Sequence, residues 1–157
     1  VGWAILTELL GPSGLMKIGL YSELARKDIV TIREEIAALG LQGCETGIRD
    51  FRHHIAQSTK SHHKQLTMSK DFFSLSELRD AIFHIQEHRF TIPQLVQCLE
   101  NLKLQFCGFT PSELNHELDL YYNGQADRHN LNAWHQFEVD HPDTFRGMYQ
   151  FWCQKTA

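Results

Sequence analysis

LLGPSGLMKIGLYSELARKDI, residues 9–29, is the stretch from which the fold is read. Trp3, Ile5, Leu6, Leu9 and Leu10 before it suit a short helix, which Gly11-Pro12 stops and Gly14 turns. LMKIGLY, residues 15–21, is then a short apolar run between turn signals, the pattern of a strand buried on both faces in a parallel sheet. After Ser22 the spacing of Ile29, Ile32, Ile36 and Leu39 predicts a helix ending at Gly40. A strand apolar on both faces needs neighbours on both sides, so residues 15–21 are expected to be an interior ribbon of a larger sheet.

Outward from that strand, CETGIRDFRHHIAQ (44–57) predicts a helix, and the polar STKSHHKQLTMSK (58–70) an exposed loop. Ser74 with Glu77, Thr91 with Gln94, and Thr110 with Glu113 each read as a capping box opening a helix. The first of these helices carries Leu75, Leu78, Ile82 and Ile85 inward, and the second Leu95, Leu99 and Leu102. LKLQFCGF (102–109) alternates like a strand with one wetter face, NGQADRHN (123–130) is a loop, and LNAWHQFEVD (131–140) is a helix closed by Pro142. GMYQFWCQK (147–155) is a last apolar strand. The sum is a helix-rich α/β chain with about three strands, expected as a single domain over 1–157 with 41–70 as a helical and loop insertion.

The 157 residues carry a net charge of −4 with 42% hydrophobic and 22% charged residues, which is globular material. Scattered Lys and Arg leave no basic footprint for nucleic acid, and no apolar run approaches the ~20 residues of a membrane span. The chain opens on Val1 with no basic, apolar leader, so neither a signal peptide nor a natural start is expected. Cys44, Cys98, Cys107 and Cys153 form no C-x-x-C pair, which predicts reduced, largely buried thiols in a cytoplasmic protein. No metal ligands are assigned.

LTELLGPSGLMKIGLYSE resembles the region of class I S-adenosylmethionine-dependent methyltransferases where a helix leads through LL-x-PGG into the fifth strand, with Ser13 replacing one glycine. RFTIPQLVQCLENLKLQFCGF is similar to the helix feeding their sixth strand, and MYQFWCQK to the antiparallel seventh strand that lies between the fifth and sixth. DFFSLSELRDAIFHIQEHRFT is similar to the close of bacterial methyltransferase domains attached to tetratricopeptide repeats. The resemblance implies a partial doubly wound sheet whose central strand is antiparallel. It also implies that S-adenosylmethionine is bound by a glycine-rich turn and an acidic residue lying before Val1. GLQGCETG (40–47) follows a helix and is no substitute. The expectation is the C-terminal half of a methyltransferase, inactive alone and completed by the N-terminal half of its parent.

Ligands of open α/β sheets sit beyond the carboxyl ends of the parallel strands, which makes Tyr21, Ser22 and Glu23 crevice candidates. Ser22 as a helix cap and Tyr21 as packing are the plain alternatives. HIQEH (84–88) matches H-x-x-E-H, so on a helix His84 and His88 would share a face with Glu87 as base. Three readings are open for it: general bases on the substrate side of a methyltransferase, the ligands of a zinc hydrolase, or a plain solvated face. Asp71, Arg79 and Arg89 flank that segment and, with Glu87 inside it, are candidate substrate contacts, the flanking charges being otherwise ordinary helix-end charges. A non-catalytic dimeric interaction domain is the remaining alternative. With a fourth strand absent, the edge of 15–21 is expected to recruit a second copy into a homodimer.

Overall fold

The computed structural model describes residues 2–84 and 86–156. They fall into two compact units, one formed by 1–25 with 88–157 and the other by 26–87. The second unit extends on both sides of the 41–70 stretch.

The first unit holds a four-stranded sheet of order β2-β1-β4-β3, with β1 Leu15–Ser22, β2 Arg89–Phe90, β3 Leu104–Phe109 and β4 Tyr149–Lys155. β4 runs antiparallel to both β1 and β3, from Leu15↔Gln154 to Leu20↔Tyr149 on one side and from Leu104↔Lys155 to Phe109↔Phe151 on the other. A bulge at Cys107 shifts the β3 register before Gly108, whose φ of 130° glycine alone adopts readily. The expected count of three strands is corrected by β2, two residues pairing parallel with Tyr21 and Ser22. Residues 15–20 therefore have a strand on one side only among the described residues. Burial of β1 on both faces is also corrected: Ile18 and Ser22 are buried, while Leu15 is 56% exposed.

Helices α1 Gly2–Leu9, α6 Ile92–Asn101, α7 Glu113–Tyr121 and α8 Leu131–Asp140 belong to the same unit. Their core joins Ile92, Leu95 and Leu99 of α6 and Trp134 and Phe137 of α8 to Phe106, Phe109, Tyr149 and Phe151 of the sheet. Tilted and edge-to-face aromatic pairs dominate it, as with Phe109 and Trp134, edge-on at 5.1 Å. α6 opens on the full Thr91–Gln94 capping box. The box expected at Thr110 is corrected: Ser112 is the cap, without a side-chain bond, because the Thr110 hydroxyl and amide both donate to the Gln150 carbonyl and tie this turn to β4.

The second unit contains α2 Lys27–Ala38, α3 Glu45–Ala56, α4 Ser61–Thr67, a 3-10 turn Lys70–Phe73 and α5 Leu75–Phe83. Ile32 and Ile36 of α2, Ile48, Phe51 and Ile55 of α3, Leu66 of α4 and Leu78 and Ile82 of α5 form its separate core. Gly47 is required in α3, since a Cβ there would lie 2.1 Å from the Gln42 carbonyl oxygen. The loop expected over 58–70 is corrected by α4, because His63 and Leu66, three residues apart, are 1% and 4% exposed and anchor one helical face. Ser74 caps α5 through the Glu77 amide as expected, but Ile85 lies outside the described residues. Burial of the thiols is corrected too: Cys153 is buried, Cys98 and Cys107 are half-buried and Cys44 is exposed.

Candidate functional site

The carboxyl end of β1 is organised around a carboxylate that the sequence reading did not single out. Glu138 lies on the α8 face that also carries Leu131 and Trp134, and it is fully buried. The Ser22 hydroxyl donates to its Oε1 at 2.5 Å, and the Tyr149 hydroxyl donates to it with both carboxylate oxygens at 2.7 Å. Burial pushes the Glu138 carboxyl up against the opposing effect of these two donors. Tyr149 is raised as well, by burial and then by the Glu138 charge. The Ser22 oxygen also accepts the Ala25 amide at 3.0 Å, so it caps the turn after β1 and cross-links it to α8. Glu138 was legible in principle: it stands seven residues after Leu131 and four after Trp134, on a stripe otherwise apolar.

Beside this buried centre, Tyr21 is half-buried and Glu23 faces outward, accepting from Arg89 Nε at 3.0 Å. The Glu23 amide donates to the Phe90 carbonyl at 2.8 Å and continues the β1–β2 pairing. Tyr21, Ser22, Glu23 and Arg89 are thus brought together at one strand end.

The H-x-x-E-H segment is not helical, which corrects that expectation. α5 ends at Phe83, His84 is its C-cap with extended backbone at φ −65° and ψ 124°, and residues 86–88 carry no helix. The i, i+4 geometry that would aim His84 and His88 at one metal is therefore absent. Glu87, proposed as base, is 4% exposed in its side chain and accepts a fork from Arg26 (3.2 and 2.6 Å) and a bond from Arg33 at 2.9 Å. Burial raises its carboxyl, but the two guanidinium groups prevail and keep it below the ordinary range, as suits an ion-pair anchor. Arg33 also donates to the Ala81 carbonyl at 2.7 Å, so this cluster ties α2 to α5. Arg79 and His84 line a cleft of about 580 Å³ with Ser76, Asp80, Phe83 and Gln86. His88 lines another of about 630 Å³, walled by Trp3, Leu6, Phe90 and residues 17–20 of β1. Asp71 is exposed in the 3-10 turn.

A third cluster joins two helices of the 26–87 unit. Glu35 of α2 accepts from Lys60 Nζ at 2.6 Å and lies 3.1 Å from His62 Nε2 and 2.5 Å from His63 Nε2. Burial opposes its ionisation, yet the Lys60, His62 and His63 bonds bring its carboxyl down to about 2. His63 is lowered, by burial first.

The glycines of 40–47 do not build a cofactor cradle. Gly40, at φ 66°, ends α2, and Gly47 lies inside α3 beneath the Gln42 backbone. No strand among the described residues leads into a glycine-rich turn that opens a helix, so these residues do not fit S-adenosylmethionine by themselves. What the chain does possess is a helix-rich α/β fold, with β4 antiparallel between β1 and β3. Among solved structures it is similar to PKMT2 from Rickettsia typhi, with a TM-score of 0.55 and 14% sequence identity. The match covers 96% of this chain and 30% of that one, so the chain spans under a third of the neighbour's length, and the likeness is one of fold. No family model matches the chain, and no curated protein matches it. No described helix is long and apolar enough to cross a membrane.

Proposed function

We propose that the chain is the carboxyl-terminal part of a class I S-adenosylmethionine-dependent methyltransferase, in which it closes the sheet and contributes a helical unit while a preceding part of the parent holds the cofactor. The observation that carries this reading is the strand arrangement: β4 inserts antiparallel between β1 and β3, in the order of the fifth, seventh and sixth strands of that family. The resemblance of residues 6–23 and the fold likeness to PKMT2 support it. In the parent, Tyr21, Glu23 and Arg89 stand at the strand end where the acceptor nucleophile must be aligned with the methyl donor, a step that depends chiefly on positioning. Ser22, Glu138 and Tyr149 keep that strand end rigid. The test is calorimetric titration of this chain, and of a chain extended toward the parent's N-terminus, with S-adenosylmethionine. Binding is expected only in the extended chain, and clear micromolar binding by this chain alone would overturn the proposal.

A dimeric interaction domain is the second reading. It is favoured by the side of residues 15–20 that has no paired strand among the described residues, where backbone groups are available to another chain.

A further inference from the structure

Glu35, His62 and His63 offer three ligand atoms, each within 4.8 Å of the others, from two helices of one compact unit. We propose that they form a site for a zinc-class divalent ion that clasps α2 to α4. Two imidazoles and one carboxylate are the donor set that zinc accepts with three protein ligands, leaving a fourth position for water. Magnesium and calcium, which require mainly oxygen ligands, are excluded by the same chemistry.

The donors are placed by packing. Ile32 and Ile36 seat α2 in the core, and Leu66 seats α4, which presents both histidines in its first turn. The His63 ring stands edge-on to Phe51 at 6.1 Å, and its Nδ1 is 2.7 Å from the Ser58 hydroxyl. That outer contact is the kind that orients a ligating imidazole, with Nδ1–H donating to the hydroxyl and the Nε2 lone pair left for the metal. The His62 ring lies 4.5 Å from it, edge-on. The side chains of Glu35, His62 and His63 are 21%, 17% and 1% exposed, so the cluster is dry on one side and open on the other. On the open side sits Lys60, with its side chain 55% exposed and its stem free to swing into water.

Ligands of a tetrahedral zinc ion stand roughly 3.3 Å apart, given bonds of about 2.0–2.2 Å. His62 Nε2 stands 3.1 Å from one Glu35 oxygen and His63 Nε2 2.5 Å from the other, and side-chain rotation brings both nitrogens to that spacing about a single ion. The ion then takes the place of the imidazole contacts and the Lys60 ammonium that now surround the Glu35 carboxylate. Because every donor lies within residues 26–87, the site is independent of the methyltransferase reading.

The test uses the full chain without a polyhistidine tag, stripped with chelator, then titrated with Zn²⁺ by calorimetry and with Co²⁺ by visible absorption. One ion per chain and a raised thermal midpoint are expected, with Mg²⁺ inert. Affinity should fall at least tenfold in His62→Ala and in Glu35→Gln, and remain unchanged in His84→Ala and His129→Ala. Lys60→Met should bind more tightly than the parent chain, a gain that no folding defect can mimic. Absence of Zn²⁺ binding, equal binding by His62→Ala and Glu35→Gln, or loss of binding in His84→Ala or His129→Ala would each overturn the assignment.

Discussion

Glu138 is the residue whose surroundings most constrain its chemistry. A fully buried carboxyl with two hydroxyl donors loses heavily when either donor goes, since its lone pairs then face an apolar core. Tyr149→Phe is expected to lower the stability of the chain by about 1–3 kcal/mol in urea unfolding, with an unchanged slope if the native packing survives. Glu87 and Glu35 act in the opposite electrostatic sense, because their folded-state carboxyls are depressed below the ordinary 4.5. A depressed carboxyl contributes stability above its unfolded value and loses it as pH falls through the folded one. For Glu35 the window runs from pH 4.5 down to about 2. Glu138, whose carboxyl is raised, has the reverse slope: its contribution is complete below 4.5 and erodes as pH rises. Unfolding midpoints measured across this acid range should therefore drop toward low pH, and Glu87→Gln should flatten that decline.

At the scale of elements, α4 shows how a polar segment becomes a helix. Seven residues are too few for a helix to persist on propensity alone, so its stability is tertiary. Leu66 enters the core of the 26–87 unit and His63 is tied to Ser58 and Glu35. Leu66→Ala should cost about 2–5 kcal/mol and release α4 first, read by hydrogen exchange as protection lost over 61–67 before the rest of the unit. α6, by contrast, has its start written locally in Thr91, Pro93 and Gln94, and its apolar face in Ile92, Leu95 and Leu99.

At the scale of the whole chain, the sheet has two unlike margins. β3 lies at the outer end of the order, and β2 covers only the carboxyl end of β1. If the open side of residues 15–20 pairs with a second copy about a two-fold axis, contact must be antiparallel. Light scattering at high concentration is then expected to show a dimer, and a charged substitution at Ile18, buried in β1, would only report on folding; Lys17→Pro, at an exposed position, is the sharper probe and should yield monomer. A stable monomer of the unaltered chain would refute the pairing.

By itself the sequence determined the elements whose signals are local: the turn at Gly11-Pro12, β1 after it, the stripe of α2, the Ser74 cap, the capping box at Thr91, and the apolar run of β4. Residue spacing encodes these because each depends on neighbours within a turn or a pleat. Only the tertiary structure decided that Thr110 bonds β4 instead of capping a helix, that H-x-x-E-H leaves the helix at His84, and that Glu87 serves two arginines. It alone brought Ser22 to Glu138 across 116 residues and Glu35 to His62 and His63 across 27 and 28. Such contacts join positions with no common periodicity, and their free energy comes from burial and desolvation that exist only once the layers have closed.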